Sequence, residues 1–175
     1  MILIGYDGSD DAKAAIAQAG TLMPGSPATV LTVWEPFLNM LAHSPAGLGP
    51  IAGLGDLERI DRAAAKHAEQ RAQEGAELAH GAGLNATAST SEQHSTIARA
   101  ILDEAERIAA DAIVLGSRGL TGIGSLLLGS VSHATVQHAD RAVIVVPSSS
   151  VAARRRGGRH DHAGTSPAGG PVSAA

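Results

Sequence analysis

Residues 112–132 read AIVLGSRGLTGIGSLLLGSVS, and the change of character within this stretch decides the fold. The first four residues are apolar and partly β-branched, which predicts a short buried strand that stops at Gly116. Further glycines follow at Gly119, Gly122, Gly124 and Gly129. A helical pattern then covers residues 131–139, and Ser130 is its natural N-cap. The stretch therefore predicts a strand, a glycine-rich loop and a helix in direct succession.

The glycine-rich loop and the helix after it are suited to binding phosphate. A residue without a Cβ can adopt positive φ and lets an anion approach the backbone N–H groups closely. The start of a helix adds unpaired N–H donors and a partial positive charge of about half an elementary unit. A merely flexible connection is the alternative, and for a lone Gly-x-x-Gly it would be the better interpretation.

The full spacing is more specific than a lone glycine pair. It resembles the nucleotide-binding signature of the universal stress protein family, Gly-x-x-Gly, nine residues, then Gly-Ser, at four matching positions: Gly116, Gly119, Gly129 and Ser130. The resemblance extends over residues 1–147. It includes Asp7 after the first predicted strand and the closing ADRAVIVVP of residues 139–147.

Composition and charge exclude several classes of function. The 175 residues suit one domain, and the absence of cysteine excludes disulfides, thiolate metal sites and cysteine nucleophiles. Residues 1–147 carry nine Lys and Arg against sixteen Asp and Glu, a net charge of −7, whereas residues 148–175 carry +3. An acidic domain with three aromatic residues argues against binding of nucleic acid.

Apolar and helical patterns alternate along the rest of the chain. Strands are predicted over residues 2–6, 28–34, 85–90, 112–115 and 142–146, the third of them at a sheet edge. Helices are predicted after the N-cap Ser9, over 56–80, from Ser95 or Thr96 to Ala109, and over 131–139. This alternation predicts an α/β domain with a parallel sheet and helices on both faces.

The segment 35–55 contains too many prolines and glycines for a long regular element. A connection of that length inside a compact domain has a function or is disordered, so a lid and a disordered loop are both compatible with it. From Ser148 onward Ser, Ala, Gly and Pro dominate, which predicts a disordered tail over 148–175 after a domain over 1–147. His160 and His162 in this tail are weak evidence for a metal, and no metal ligand is predicted.

No apolar run reaches 18 residues, and Met1 leads into the first strand without a basic leader. We therefore expect no membrane association and a cytoplasmic location.

The resemblance implies the strand order 3-2-1-4-5, a Rossmann-like open sheet in which Asp7 and Gly116 meet at the switch point. It also implies binding of ATP or a related adenine nucleotide, with or without Mg²⁺. Asp7 would lie toward the adenosine and Val33 near the base, although Asp7 alternatively caps the first helix and Val33 alternatively belongs to the core. The complete set of implied site residues is Gly5, Asp7, Val33, Leu115, Gly116, Arg118, Gly119, Gly129, Ser130 and Val131.

Gly5 stands at a position that the family often fills with a bulkier residue, and Ala142 stands where proline is frequent. Arg118 is the only cation within the glycine-rich stretch.

The sequence favours a nucleotide-binding sensor over an enzyme. It lacks the Gly-x-x-x-x-Gly-Lys-Ser/Thr loop of efficient phosphoryl transfer, and its only lysines are Lys13 and Lys66. Ser132 and His133 are adjacent on one predicted helix and point in different directions, so they do not form a nucleophile and base pair. A slow ATPase is one alternative, and a dimerisation module that binds no nucleotide is another.

The fifth predicted strand, residues 142–146, is entirely apolar and would lie at a sheet edge if the implied order holds. An unguarded apolar edge is prone to pair with another chain. We therefore expect a homodimer formed through this strand, as the resemblance also implies.

Overall fold

The sheet forms from five short runs rich in apolar or β-branched residues. A computed structural model of the protein describes residues 1–37, 39, 54–120 and 128–153. The strands are β1 Ile2–Gly5, β2 Pro27–Trp34, β3 Asn85–Glu92, β4 Ala112–Gly116 and β5 Ala142–Val146. All five predicted strands are present, and their ends differ from the predicted ones by at most two residues.

The five strands form one parallel sheet in the order 3-2-1-4-5, which confirms the predicted fold. β1 lies at the centre, where Ile4 is in register with Val30 of β2 and with Val114 of β4. β3 and β5 form the two edges, as predicted. The winding direction of the chain reverses between β1 and β4, so a crevice opens beyond the carboxyl ends of these two strands.

Four helices connect the strands: α1 Asp10–Leu22, α2 Leu54–Gly81, α3 Ile97–Arg107 and α4 Ser130–His138. The predicted N-caps of the first and third are confirmed, because the Ser9 side chain accepts the Ala12 N–H and the Thr96 side chain accepts the Arg99 N–H. Among the described helices, none is both long and apolar enough to cross a membrane.

The prediction that Ser130 is the N-cap of α4 is wrong. Gly129 holds that position with an extended backbone, φ −68° and ψ 161°. Its N–H donates to the Ser117 carbonyl oxygen at 2.7 Å and its own carbonyl oxygen accepts the His133 N–H at 2.9 Å. These two bonds fix where the helix begins, so Ser130 becomes its first residue and its side chain is exposed.

The helices cover both faces of the sheet, as predicted. On one face α1 and α2 bury their alanine-rich sides against Ile2 and Ile4 of β1. On the opposite face Ile101 of α3 packs against Leu3 and Leu31. Alternate residues of β1 thus enter two separate apolar clusters, because successive side chains of a strand point to opposite faces.

Small residues let α2 approach the sheet closely. Ala72, Ala76 and Ala79 of this helix are buried, and between them lies Gly75. A Cβ at Gly75 would lie 2.7 Å from Val30 Cγ1 and 2.8 Å from Tyr6 Cδ1. The helix is further held by a 2.8 Å hydrogen bond from the Tyr6 hydroxyl to Glu74 Oε1. Glycine is therefore required at position 75 for space.

The ordered chain continues past the predicted domain boundary at residue 147. Residues 149–153 are helical, and the side chains of Ser148 and Val151 are buried. Residues 38, 40–53, 121–127 and 154–175 lie outside the described residues. They include most of the segment interpreted as a lid or a disordered loop and most of the tail, so those interpretations stay predictions.

Gly75→Ala should destabilise the protein, whereas Gly81→Ala on the same helix should not. The added methyl at 75 meets two side chains of the core, and overpacking of this kind costs about 1–3 kcal/mol, partly offset by a helix-propensity gain of about 1 kcal/mol. A Cβ at Gly81 meets no described atom within 4 Å. Urea unfolding of both variants checks this, and equal free energies of unfolding would contradict the packing argument.

Candidate functional site

A cavity of about 520 Å³ lies beyond the carboxyl ends of β1 and β4, at the predicted switch point. Its volume falls in the range of about 300–1,000 Å³ that small-molecule sites occupy. One wall is apolar and consists of Leu31, Val33, Ile97, Ile101 and Leu115. The remaining lining carries polar groups, with Asp7, Arg71 and Arg118 as its charged side chains within the described part of the chain.

The structure brings all ten sequence-predicted site residues together around this cavity. They come from the end of β1, from β2, and from both sides of the glycine-rich loop: Gly5, Asp7, Val33, Leu115, Gly116, Arg118, Gly119, Gly129, Ser130 and Val131. Their convergence is geometric, and their roles toward a ligand stay predictions. Val33 also packs against the apolar cluster on the α3 face of the sheet. This half-buried residue is therefore both part of the core and part of the cavity wall.

Asp7 connects the loop after β1 to the glycine-rich loop after β4. Its Oδ1 accepts the Ser9 N–H at 2.9 Å, which fits the alternative of a capping carboxylate at the start of α1. Its Oδ2 accepts the Leu120 N–H at 3.2 Å across the cavity. One carboxylate oxygen of Asp7 thus binds the start of the first helix, and the other binds the glycine-rich loop.

Ser117, fully buried behind the cavity, holds the two halves of the loop together. Its hydroxyl donates to Asp11 Oδ2 at 2.7 Å and its N–H donates to the Val146 carbonyl oxygen at 2.7 Å. Its own carbonyl oxygen accepts the Gly129 N–H at 2.7 Å and the Ser132 hydroxyl at 3.0 Å. One residue therefore ties β4 to α1, β5 and the start of α4.

Asp11 is the charged partner in this buried junction, a role the sequence did not indicate. Burial favours its protonated form, but hydrogen bonds from Ser117 and Ser148 and the charge of Arg118 outweigh burial and hold the pKa of Asp11 below its usual range. The carboxylate therefore stays charged beneath the loop. Its partner Ser117 lies 106 residues away in the chain, which explains why local patterns did not show the contact.

Gly116 and Gly119 of the loop serve close approach rather than unusual backbone angles, and Gly122 and Gly124 lie outside the described residues. Positive φ was expected of them, but among the described glycines it occurs only at Gly8, Gly25 and Gly83. A Cβ at Gly116 would lie 2.7 Å from the Asp11 carbonyl carbon, and one at Gly119 would lie 2.7 Å from Asp7 Oδ2. Tight packing against α1 and Asp7 is thus what excludes larger residues there.

Gly5 is small for a similar reason. A Cβ at this position would lie 2.5 Å from Leu115 Cδ2, so the Leu115 side chain occupies the space that a bulkier residue at position 5 would need. Gly5, where the resemblance implied a bulkier residue, therefore leaves room for the Leu115 side chain of the neighbouring strand.

The start of α4 faces the cavity, with Gly129, Ser130 and Val131 in its lining. Gly129 is the N-cap, and no side chain makes a capping hydrogen bond at this helix start. The Ser130 hydroxyl is therefore not engaged in capping. This end of the helix offers backbone N–H donors and the positive end of the helix dipole to an anion.

Sequence reasoning missed several lining residues. Arg71 of α2 is the most consequential, because it adds a second guanidinium where only Arg118 was expected. Ile97 and Ile101 of α3 complete the apolar wall. The helical periodicity of α3 identified its apolar stripe, but nothing in the local sequence distinguishes a residue facing the core from one facing a cavity. Within the described residues, no group of three or more His, Asp or Glu is placed to hold a metal ion.

A family model described as "Universal stress protein family" matches residues 1–147 of the chain. The chain belongs to this family. A universal stress protein of Thermus aquaticus, described as lying in the QAH/OAS sulfhydrylase 3' region, is 35% identical over 147 residues, which are 83% of this chain and 96% of that protein. The solved structure of universal stress protein UspA from Lactobacillus plantarum is 29% identical, with a TM-score of 0.59 over 83% of this chain and 95% of that one.

Some solved relatives contain nucleotides. A universal stress protein family member from Arabidopsis thaliana with AMP bound is 17% identical, with a TM-score of 0.55 over 83% of this chain and 90% of that one. The structure of the universal stress protein from Archaeoglobus fulgidus contains dAMP and is 19% identical, with a TM-score of 0.52. Another universal stress protein structure contains cAMP and is 22% identical, with a TM-score of 0.59. These three likenesses establish the shared fold of the universal stress proteins.

Asp11→Asn should lower the stability of this universal stress protein at pH 7 by about 1–2 kcal/mol, since the neutral amide accepts a weaker hydrogen bond from Ser117. Because the folded pKa is lowered, the contribution of the charge is present above the unfolded pKa of about 3.9 and is lost as pH falls through the folded pKa. Unfolding free energies at pH 7 and pH 3 check this.

The exposed neighbour Asp10 supplies the control, because Asp10→Asn removes the same charge from the same helix turn. A difference between Asp11→Asn and wild type that stays constant down to pH 3 would contradict a role for the charge.

Proposed function

We propose that this universal stress protein binds ATP in the cavity beyond β1 and β4 and acts as a nucleotide-dependent regulator. The single observation that carries the proposal is the convergence of Asp7, the glycine-rich loop and the start of α4 on one cavity. The apolar wall at Val33 and Ile97 suits an adenine ring, and the Asp7 carboxylate suits the hydroxyls of a ribose. The N–H groups at the start of α4 suit the phosphates, which carry any bound Mg²⁺ with them.

The charges of the lining support an anionic ligand. Two guanidinium groups and one carboxylate line the cavity within the described residues, although the segment 1–147 as a whole carries a net charge of −7. The positive charge is therefore local to the site. A guanidinium that lines a cavity can bind phosphate through two parallel N–H bonds.

Solved relatives with AMP, dAMP and cAMP support an adenine nucleotide as the class of ligand. Within this class we propose ATP, because the lining offers more hydrogen-bond donors than one phosphate group would use. These donors are the N–H groups at the start of α4 and the guanidinium groups of Arg118 and Arg71. A regulatory role and a cytoplasmic location belong to the same proposal.

Asp7→Ala should weaken ATP binding by about 1–3 kcal/mol, the cost of losing a hydrogen bond to a charged group in a partly buried site. Asp10→Ala is the matched control, because Asp10 is an exposed carboxylate on the next turn and does not line the cavity. Isothermal titration calorimetry with ATP measures both. Equal affinity of the Asp7→Ala and Asp10→Ala variants would leave Asp7 with its capping role only, and a wild-type protein that binds no nucleotide would support the scaffold alternative.

We further propose that the protein forms a homodimer through β5. Within the described residues β5 pairs with β4 on one side and with no strand on the other. All five residues of β5 are apolar, Ala142 is exposed, and Ile144 is only half-buried in the single chain. Pairing of two such edges about a twofold axis satisfies the backbone groups of both copies and closes the assembly at two.

Ala142→Lys and Ile144→Lys should each convert the dimer into a monomer, since a lysine on an edge strand blocks further strand pairing. Ala142 is exposed, so its variant should keep the fold even if the Ile144 variant becomes insoluble. Thr87→Lys places the same charge on the opposite edge strand β3 and should remain dimeric. Sedimentation analysis at micromolar concentration measures the three variants, and a monomeric wild type would contradict the proposal.

A further inference from the structure

Arg71 lines the nucleotide cavity from an element that the family signature does not include. It lies on α2, whereas the glycine-rich loop, Arg118 and the start of α4 belong to the opposite half of the chain. Neither the Arg71 nor the Arg118 guanidinium makes a hydrogen bond or ion pair with any residue that the structure describes. Most other arginines of the described chain have such partners, among them Arg62 with Glu58 and Arg99 with Asp103. Among the described residues their guanidinium groups act on neighbours through charge alone, Arg118 on Asp11 and Arg71 on Tyr6.

The position of Arg71 is set by close packing one helical turn further along α2. Gly75 brings the helix against Tyr6 and Val30, and the Tyr6 hydroxyl binds Glu74 at 2.8 Å. Four residues of helix span about 6 Å, so Arg71 lies about one turn nearer the N-terminus of α2 than these contacts. Helix side chains also incline toward the N-terminus. Because α2 runs antiparallel to the strands it connects, this direction leads past the carboxyl edge of the sheet and toward the cavity.

The Arg71 side chain arrives next to the loop that follows β1. Its Nε lies 3.5 Å from the position that a Cβ of Gly8 would occupy. Gly8 has a φ of +84° and follows Asp7 directly, so Arg71 lies beside the loop that carries Asp7. Arg71 therefore approaches the ligand from the face of the sheet that carries α1 and α2, whereas the apolar wall belongs to the face that carries α3.

We propose that Arg71 binds the outer phosphates of the nucleotide and so makes the site prefer a triphosphate to a monophosphate. The inference rests on the proposed nucleotide site. A base against Val33 and Ile97 lies on the α3 face, and the first phosphate is served by the N–H groups at the start of α4. A phosphate chain that continues over the sheet edge meets Arg71, whose planar guanidinium can bind two phosphate oxygens at once.

Stacking of Arg71 on the base is the competing role for the same side chain, because guanidinium groups also stack on aromatic rings. The apolar wall that suits the base belongs to the cluster on the α3 face, whereas α2 packs on the other face, so Arg71 is not part of the wall against which the base would lie. The two roles also differ in what they recognise. Stacking supports adenosine, AMP and ATP alike, whereas an outer-phosphate contact supports ATP alone.

The test measures the affinities of adenosine, AMP and ATP by calorimetry for wild type, Arg71→Gln, Arg71→Lys and Arg62→Gln. Arg62 is the matched control, because it lies on the same helix, is 74% exposed and pairs with Glu58 away from the cavity. We expect Arg71→Gln to weaken ATP binding about tenfold or more, as loss of hydrogen bonds to a charged group requires. Its binding of AMP and adenosine should change about twofold or less, because more distant charges are screened.

Arg71→Lys keeps the charge without the bidentate geometry, so its loss of ATP affinity should be smaller than that of Arg71→Gln. Arg62→Gln should bind all three ligands as wild type does. Equal weakening of the three ligands by Arg71→Gln, or unchanged ATP affinity, would overturn the outer-phosphate role while leaving the nucleotide site intact. A wild-type protein that binds none of the three would instead contradict the proposed function itself.

Discussion

The site depends on the hydrogen bonds of one buried serine. Ser117 uses its N–H, its hydroxyl and its carbonyl oxygen to bind Val146, Asp11, Gly129 and Ser132. Backbone polar groups at the end of a buried strand must find partners, and those of Ser117 find them on β5 and at the start of α4, while its hydroxyl binds α1. The same bonds set the distance between the end of β4 and the start of α4, which are the two sides of the proposed phosphate site. Folding and site geometry are thus determined by the same contacts.

Small side chains make this arrangement compact enough to form a site. Aromatic residues are 2% of the chain, and the helices instead bury alanines that have no exposed surface, such as Ala15, Ala19 and Ala72. Helices that contact a sheet through alanine and glycine lie close to it, so their side chains reach over its edge. This is how α2, which the family signature does not include, places Arg71 at the cavity through the close contact at Gly75.

The sequence predicted the sheet well because its strands are short apolar runs between clear breakers, and even β3, with its weak Ala–polar alternation, began at the predicted Asn85. The residues that converge on the cavity followed from the glycine spacing and from the family resemblance that it carries, while their roles toward a ligand stay predictions. The predicted N-cap at Ser130 was wrong, because the hydrogen bond from the Gly129 N–H to the Ser117 carbonyl oxygen outweighs the general preference for serine as N-cap. Arg71 and Asp11 were missed because their partners are distant in sequence, and no local pattern encodes them.

In the proposed site, Asp7 would provide selectivity for a nucleoside over a simple phosphate. A carboxylate beside two guanidinium groups weakens the attraction for any anion, and the net negative charge of the domain repels anions within a Debye length of about 8 Å, because salt screens the charge at longer range. Affinity must therefore come from groups in direct contact with the ligand. Inorganic phosphate brings its own negative charge next to the Asp7 carboxylate, and this repulsion opposes any hydrogen bond from a phosphate hydroxyl. A ribose offers neutral hydroxyl donors to the same carboxylate, so its hydrogen bonds form without repulsion between like charges.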